Sequence, residues 1–181
     1  MEEYFPCKTL QELLKSKHVF TSDQLKHIVT KILIALQYLH GQNICHRDLS
    51  LNNILICTEF KKVKLIDFGV AKKIMHSSKM MLSPVGKSAN FPPEFECDGC
   101  YNTKYDIWLM GLLLLQIICK TQISSKTALQ IVKGLKEKNP KYRESIVLSE
   151  ECENLVGRFL EPIPDNRISA TKALHHKWLK N

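Results

Sequence analysis

The stretch "ICHRDLSLNNILI", residues 44–56, sets a histidine, an arginine and an aspartate side by side between apolar flanks. These are His46, Arg47 and Asp48, and Asn53 follows five residues after the aspartate. An isolated aspartate or asparagine in a loop usually serves turn geometry, because its side chain bonds to the nearby backbone. The apolar flanks predict that this polar loop is held between two buried segments, where it could also serve chemistry.

The segments around this loop predict several helices and one small hairpin. Thr21 and Gln24 have the spacing of a capping box, and apolar residues then recur every three or four positions until Gly41. Two short apolar runs, residues 54–57 and 63–66, are separated by a polar turn and predict a hairpin. Later helical patterns cover residues 105–119, 126–138, 150–160 and 169–179. The predicted fold class is therefore mainly α with a small β-hairpin element.

The composition indicates one domain with one hydrophobic core. The chain has 181 residues, of which 44% are apolar and 24% are charged. Its most apolar stretch, residues 107–119, is shorter than the roughly 20 residues that span a bilayer, so it predicts a buried helix. The first ten residues lack the basic and apolar regions of a secretory signal. We expect an intracellular protein with no membrane partner, cytoplasmic or alternatively nuclear.

The seven cysteines are scattered, with an odd number and no framework of spacings. Such a set fits reduced thiols in a cytosolic protein better than disulfides. Cys97 and Cys100 form one C-x-x-C pair, but no second pair or nearby histidine completes a zinc set. We therefore expect free thiols, with a zinc site as the less favoured interpretation.

The motif "HRDLSLNN" is followed by "DFG", and the predicted hairpin lies between them. Both match the protein-kinase patterns H-R-D-L-x-x-x-N and D-F-G in residue type and order. The chain thus resembles eukaryotic protein kinases of the serine/threonine type over nearly all its length. The resemblance implies that Asp48 is the catalytic base, and that Asn53 and Asp67 bind the Mg²⁺ that holds the phosphates of ATP. A protein substrate would be the partner.

The resemblance also implies boundaries. A protein kinase domain would cover residues 1–181, with the catalytic loop at 44–56 and the activation segment at 67–94. No G-x-G-x-x-G loop and no V-A-I-K lysine occur, and "EEYFPCKTLQELL", residues 2–14, is similar to the hinge and the helix after it. We therefore expect a C-lobe with the N-lobe absent, and a partner that covers an apolar surface around His46, Leu55 and Phe68.

Three later motifs resemble the family's structural residues. Glu94 closes "VGKSANFPPE", Arg167 closes "PIPDNR", and Asp106 stands in "YDIWLMG". The resemblance implies that Glu94 pairs with Arg167 and that Asp106 braces the catalytic loop from a buried helix. It further implies that His46 stacks on Phe68 and that Leu55 lies under the adenine of ATP.

Residues 70–91 show little periodicity and predict a long irregular surface segment. Ser83 stands eleven residues before Glu94, where the family commonly has an activating phosphosite. Arg47 and Lys72 occupy positions that commonly hold that phosphate, since both cations can donate charge-assisted hydrogen bonds to it. We hypothesise that phosphorylation of Ser83 orders this segment; the alternative is a merely solvated serine.

The chain departs from the family's pattern near Asp48. Ser50 stands where serine/threonine kinases usually carry a lysine, and Lys87 stands where they usually carry a threonine. Lys87 would then replace the missing ammonium and act as a catalytic residue, or both changes reflect drift in a degenerate kinase. Asn52 stands where kinases of basic substrates often place glutamate, which removes one reason to expect such substrates.

Three functions remain open on sequence grounds. The first is a serine/threonine protein kinase that transfers the γ-phosphate of ATP, and the second is a pseudokinase or truncated kinase that serves as an interaction module. A nucleic-acid-binding helical protein is the third, but it rests only on the net charge of +8, which forms no tight basic run. We therefore expect no nucleic-acid partner.

Overall fold

The computed structural model describes residues 7–57, 60–74, 80–81, 88–98, 100–143, 146 and 148–180. The helices are α1 (Leu10–Lys15), α2 (Ser22–Gly41), α3 (Pro93–Asp98), α4 (Lys104–Cys119), α5 (Ser125–Lys136), α6 (Pro140–Arg143), α7 (Glu150–Phe159), α8 (Ala170–Ala173) and α9 (Lys177–Lys180). The strands are β1 (Cys7–Thr9), β2 (Ile44–Cys45), β3 (Ile54–Cys57), β4 (Lys62–Leu65), β5 (Lys72–Lys73), β6 (Met80–Met81) and β7 (Cys100–Tyr101). A short 3₁₀ helix covers Ser88–Asn90.

Helix α2 begins where its capping box predicts. The Thr21 hydroxyl accepts a hydrogen bond from the Gln24 amide, and the Gln24 side chain accepts one from the Thr21 amide. One face of the helix is buried and packs against α8, α9 and β4. The buried residues are Ile28, Val29, Ile32, Leu33, Leu36 and Leu39. The predicted helix is confirmed, and it supplies one wall of the core.

Helix α4 is the central helix of the core. Residues 105–117 are all buried, so the helix has no solvent face along this stretch. Helix α7 crosses it closely at Gly111, where an added Cβ would lie 2.7 Å from Cγ of Leu160. The predicted buried helix is confirmed, and no described helix is long and apolar enough to cross a membrane.

The hairpin belongs to a three-stranded sheet with the strand order β1-β3-β4. Strands β3 and β4 pair antiparallel, with Ile54 opposite Leu65, which confirms the hairpin. On the other side, β1 pairs with β3 and sets Thr9 opposite Leu55. The sheet positions the end of the catalytic loop, because β3 begins directly after Asn53.

Two expectations about irregular and helical segments were wrong. The described part of residues 70–91 includes strands, since β5 pairs with β2 and β6 pairs with β7. The single helix predicted for residues 169–179 is divided into α8 and α9. It divides because the His176 ring accepts the Trp178 amide and also contacts Asn154 of α7, which holds a turn between the helices.

The expectation of reduced thiols was wrong for one pair. A disulfide joins Cys7 and Cys57, which lie directly opposite each other on β1 and β3. Strand register creates this proximity across 50 residues of sequence, so the spacing of cysteines could not reveal it. Cys45, Cys119 and Cys152 are free, and no described cluster of three His, Cys, Asp or Glu side chains could hold a metal ion. The side chains of Cys97 and Cys100 lie outside the described residues.

Candidate active site

The predicted catalytic loop runs from β2 to β3 and is anchored by two buried leucines, Leu49 and Leu51. Asp48 and Asn53, the predicted base and one of the predicted metal ligands, are in direct contact. The Asn53 amide nitrogen Nδ2 donates to both the Asp48 carboxylate oxygen Oδ2 and the Asp48 backbone carbonyl, each at 2.8 Å. The side chain of Asn53 therefore holds one carboxylate oxygen of Asp48, and Asp48 also lines the groove described below.

Asp106 of α4 holds the loop from below. Its two carboxylate oxygens accept the backbone amides of His46 at 2.9 Å and Arg47 at 2.8 Å. The backbone of Arg47 has a positive φ of 70°, which residues other than glycine seldom adopt. The two bonds to Asp106 therefore stabilise a strained turn. Burial alone would raise the pKa of Asp106, but hydrogen bonds from His40 and from the two amides lower it.

Sequence reasoning missed His40, which also touches Asp106. Its ring nitrogen Nε2 lies 2.8 Å from Oδ2 of Asp106. His40 stands in the last turn of α2, so it connects the end of that helix to the central helix α4. Its place one residue before the end of an amphipathic helix was the available signal, because the helix dipole favours basic side chains there.

Asp67 reaches the site through a backbone link. The Ile66 amide donates to the Asn53 carbonyl at 2.9 Å, so the residue before Asp67 is bound to the end of the catalytic loop. Asp67 itself has a positive φ of 63° and accepts the Gly69 amide, which forms a tight turn. The side chains of Asn53 and Asp67 offer an amide oxygen and a carboxylate, which are the hard oxygen ligands that Mg²⁺ prefers. The two residues therefore fit a Mg²⁺ site that substrate phosphates complete.

His46 and Phe68 are in contact, with ring centroids 4.9 Å apart and the rings inclined at 71°. The expectation that His46 belongs to an exposed apolar surface was wrong. His46 is fully buried, and its ring packs against the Phe68 ring. Its Nε2 lies 3.1 Å from the Ile66 carbonyl, so the buried ring has a polar partner. Phe68 itself is 49% exposed, and Leu55 is partly buried in β3.

Glu94 and Arg167 form a buried ion pair. The two terminal guanidinium nitrogens donate to the two carboxylate oxygens at 2.7 and 2.8 Å, in the planar bidentate arrangement that suits arginine. The remaining donors of Arg167 reach backbone carbonyls of Lys104 and Glu161, and its guanidinium lies over the Trp108 ring. This pair fastens the start of α3 to the loop before α8.

The proposed regulatory residues are described only in part. Arg47 donates from Nε to the Val70 carbonyl, and Lys72 lies opposite Cys45 in the pairing of β2 with β5. Both contacts join the segment after "DFG" to the catalytic loop. Ser83 and Lys87 lie outside the described residues.

A groove of about 310 Å³ opens beside Asp48. Its lining combines apolar side chains, with Leu109, Leu112 and Leu113 of α4, and several side-chain amides. The amides and the serine hydroxyl of the lining come from Gln11, Ser50, Asn52, Asn53, Asn90, Gln116 and Gln122. Asp48 and Arg47 are the charged residues of its described lining.

A polar loop braced by a buried carboxylate, with an aspartate beside oxygens that could bind a metal ion, is the arrangement typical of phosphotransferases. The family model of the protein kinase domain matches residues 1–179. The chain therefore belongs to the protein kinase family.

Individual relatives agree with this assignment. Serine/threonine-protein kinase cds1 of Schizosaccharomyces pombe is 31% identical over 187 aligned positions, which cover 97% of this chain and 40% of the relative. The putative ribosomal protein S6 kinase alpha-1 of Caenorhabditis elegans is 28% identical, covering 94% of this chain and 23% of the relative. The chain thus spans less than half the length of these relatives.

A solved structure has the same fold. In the crystal structure of the yeast RNA Pol II CTD kinase CTDK-1 complex, one chain superposes with a TM-score of 0.83 at 26% identity. The superposition covers 99% of this chain and 69% of the other. The fold is therefore protein-kinase-like, mainly α with small sheets.

Proposed function

We propose that this chain is the part of a serine/threonine protein kinase that carries the catalytic base, and that the whole protein transfers the γ-phosphate of ATP to protein hydroxyls. One observation carries the proposal. Asp48 is held by Asn53, and Asn53 is bound through its backbone to the residue before Asp67, so the base and both metal-ligating side chains belong to one hydrogen-bonded unit. A scaffold has no chemical need for such a unit.

In this proposal each residue has a defined task, and Asn53 has two. The free carboxylate oxygen of Asp48 accepts the proton of the serine or threonine hydroxyl, while Asn53 keeps the carboxylate in place. Asn53 and Asp67 would hold Mg²⁺, which supplies positive charge against the phosphate oxygens of ATP. Leu55 would form the apolar floor under the adenine from strand β3. Asp106 and His40 act as positioning residues, because Asp106 binds two backbone amides of the loop and His40 binds Asp106.

We further propose that residues 1–181 correspond to the hinge and C-lobe, with the catalytic loop at 44–56 and the activation segment at 67–94. The absence of a Gly-rich loop and of a V-A-I-K lysine from the sequence supports this. Groups that hold the ATP phosphates from above would then come from outside these residues, and they would cover Phe68. Ser50, in the usual place of a lysine, favours the second candidate, a catalytically impaired interaction module.

The proposed activity can be measured directly on the native protein purified from its source cells. We expect Mg²⁺-dependent transfer from γ-labelled ATP to a positional peptide library, with label on serine or threonine. Selection for arginine beside the acceptor should be weak, because Asn52 of the groove lining presents a neutral amide where a glutamate carboxylate would bind arginine. Absence of transfer by folded native protein would favour the interaction module.

Lys87 is proposed to replace the ammonium missing at Ser50. Lys87→Met should lower phosphotransfer by about 10²-fold, since a cation at the transferring phosphate stabilises charge that develops in the transition state. Lys73→Met is the matched control, because Lys73 is an exposed lysine of β5. Adding Ser50→Lys to Lys87→Met should restore much of the rate. Unchanged transfer by Lys87→Met would reject this role.

Ser83 is proposed as the activating phosphosite of the same segment. The contact of Arg47 with Val70 and the pairing of Cys45 with Lys72 support this, because they bring two cations to one edge of the segment. Phosphopeptide mapping of active native protein should find phosphate on Ser83. Ser83→Ala should lower transfer about tenfold, whereas Ser77→Ala should not. Active protein with unmodified Ser83 would contradict the proposal.

A further inference from the structure

The pair Cys7 and Cys57 lies beside the candidate nucleotide site without a part in the proposed chemistry. The two residues are directly opposite in the pairing of β1 with β3, where a disulfide joins them. Cys57 is almost fully buried, whereas Cys7 is partly exposed at the edge strand of the sheet. Cys7 is therefore the more accessible residue of the pair.

The position of this pair connects it to the active site. Two residues before Cys57, Leu55 faces Thr9 across the same two strands, and Asn53 immediately precedes β3. The loop that the disulfide closes contains helices α1 and α2 and the whole catalytic loop. The disulfide thus fastens the edge strand β1 to the strand that carries the proposed adenine floor.

The free thiols of the described chain are placed differently. Burial raises the pKa of Cys45, and it raises the pKa of Cys152 to about 12, so both resist oxidation as isolated buried thiols. Cys119 is partly buried at the end of α4, and no disulfide partner is described for it. Among the described cysteines, the sheet register brings together Cys7 and Cys57 alone.

We propose that Cys7 and Cys57 form a reversible redox site that fixes β1 onto the nucleotide-floor strand β3. In a reducing compartment the pair would be two thiols, and β1 would be held by its backbone pairing and side-chain packing alone. In the oxidised state the covalent link would restrict the unfolded chain and keep the floor strand and edge strand in register.

Glutathione disulfide is the oxidant that this chemistry requires. The thiolate of Cys7, the more exposed residue, attacks one sulfur of glutathione disulfide and releases one glutathione thiolate. The thiolate of Cys57 then attacks the Cys7 sulfur of the mixed disulfide and releases the second glutathione. Two protein thiols are oxidised while one glutathione disulfide is reduced to two thiols, and excess glutathione reverses the reaction.

The test equilibrates the native protein in glutathione buffers of graded ratio, followed by alkylation and peptide mass analysis. We expect one cross-linked peptide pair that contains Cys7 and Cys57, together with a melting temperature about 5–10 °C higher in the oxidised state. Cys7→Ser and Cys57→Ser should each abolish both effects. Cys119→Ser is the matched control and should retain both. Full alkylation of Cys7 and Cys57 under oxidising buffer would overturn the redox site.

The effect on nucleotide binding rests on the proposed function and is measured separately. Oxidation should lower the KM for ATP about three- to tenfold, because the disulfide would hold strand β3 and Leu55 in the binding conformation before the nucleotide binds. If phosphotransfer is present and the KM for ATP is equal in both redox states, the proposed effect of the disulfide on nucleotide binding is wrong. Absence of phosphotransfer in both states, with the cross-link formed, would instead reject the proposed function and leave the redox site standing.

Discussion

Asp48→Asn should lower phosphotransfer by about 10²- to 10⁴-fold, the range that a general base contributes. The substitution removes the carboxylate that accepts the substrate proton and changes little else. The contact with Asn53 needs only an acceptor oxygen at position 48, and the asparagine amide oxygen can take that place. Rates of γ-phosphate transfer by the native protein and its variant give the measurement.

The control for this substitution is Asp23→Asn, which removes the same charge in the first turn of α2, away from the loop. We expect this variant to keep its transfer rate. Denaturant unfolding of Asp48→Asn should show a stability close to that of the parent chain, so that lost activity is not lost folding. Retained phosphotransfer in Asp48→Asn would remove the base from the mechanism. An interaction module would instead have no transfer to lose and would keep its partner binding in both variants.

Local patterns in the sequence were sufficient to predict the frame of this site. The capping box at Thr21, the apolar period of α2 and the two short runs of the hairpin depend on neighbouring residues, and the structure confirms them. The buried helix around Asp106 was predictable for the same reason. The contact of Asp106 with the loop was predicted from the family resemblance, because the local sequence does not show which residues a side chain contacts.

Contacts that join distant strands and loops were not predictable in this way. The pairing of Cys7 with Cys57 depends on the register of two strands that are separated by 50 residues. His40 reaches Asp106 because the end of α2 lies beside α4. The apolar periodicity of either helix does not predict this contact. The turn between α8 and α9 likewise depends on the contact of His176, which lies in that turn, with Asn154 of α7.

The buried ion pair of Glu94 and Arg167 combines both kinds of information. Its members stand 73 residues apart, and the family resemblance named them. Arg167 is 1% exposed, and all three nitrogens of its guanidinium donate hydrogen bonds. These bonds and the Glu94 carboxylate compensate for the loss of hydration of the buried charge. Removing one member of such a pair leaves the other charge buried without its partner, which costs more than the pair itself contributes.

Arg167→Met should therefore destabilise the fold by about 3–5 kcal/mol, measured as the shift in urea unfolding at constant m-value. The loss combines an unpaired Glu94 carboxylate with backbone carbonyls of Glu161 and Lys104 that lose their donors. Lys133→Met, which breaks an exposed pair with Glu137, is the matched control and should change stability by less than about 0.5 kcal/mol.

The double variant of Arg167→Met with Glu94→Gln separates the ion pair from the loss of packing. Its cost should be smaller than the sum of the two single costs, because Glu94→Gln removes the buried charge that Arg167→Met leaves behind. If Arg167→Met does not fold, Arg167→Lys keeps a cation near Glu94 and should fold with a smaller loss, since lysine cannot form the bidentate contact. Strictly additive costs would show that the two side chains stabilise the fold independently, and the proposed anchoring of α3 would then be wrong.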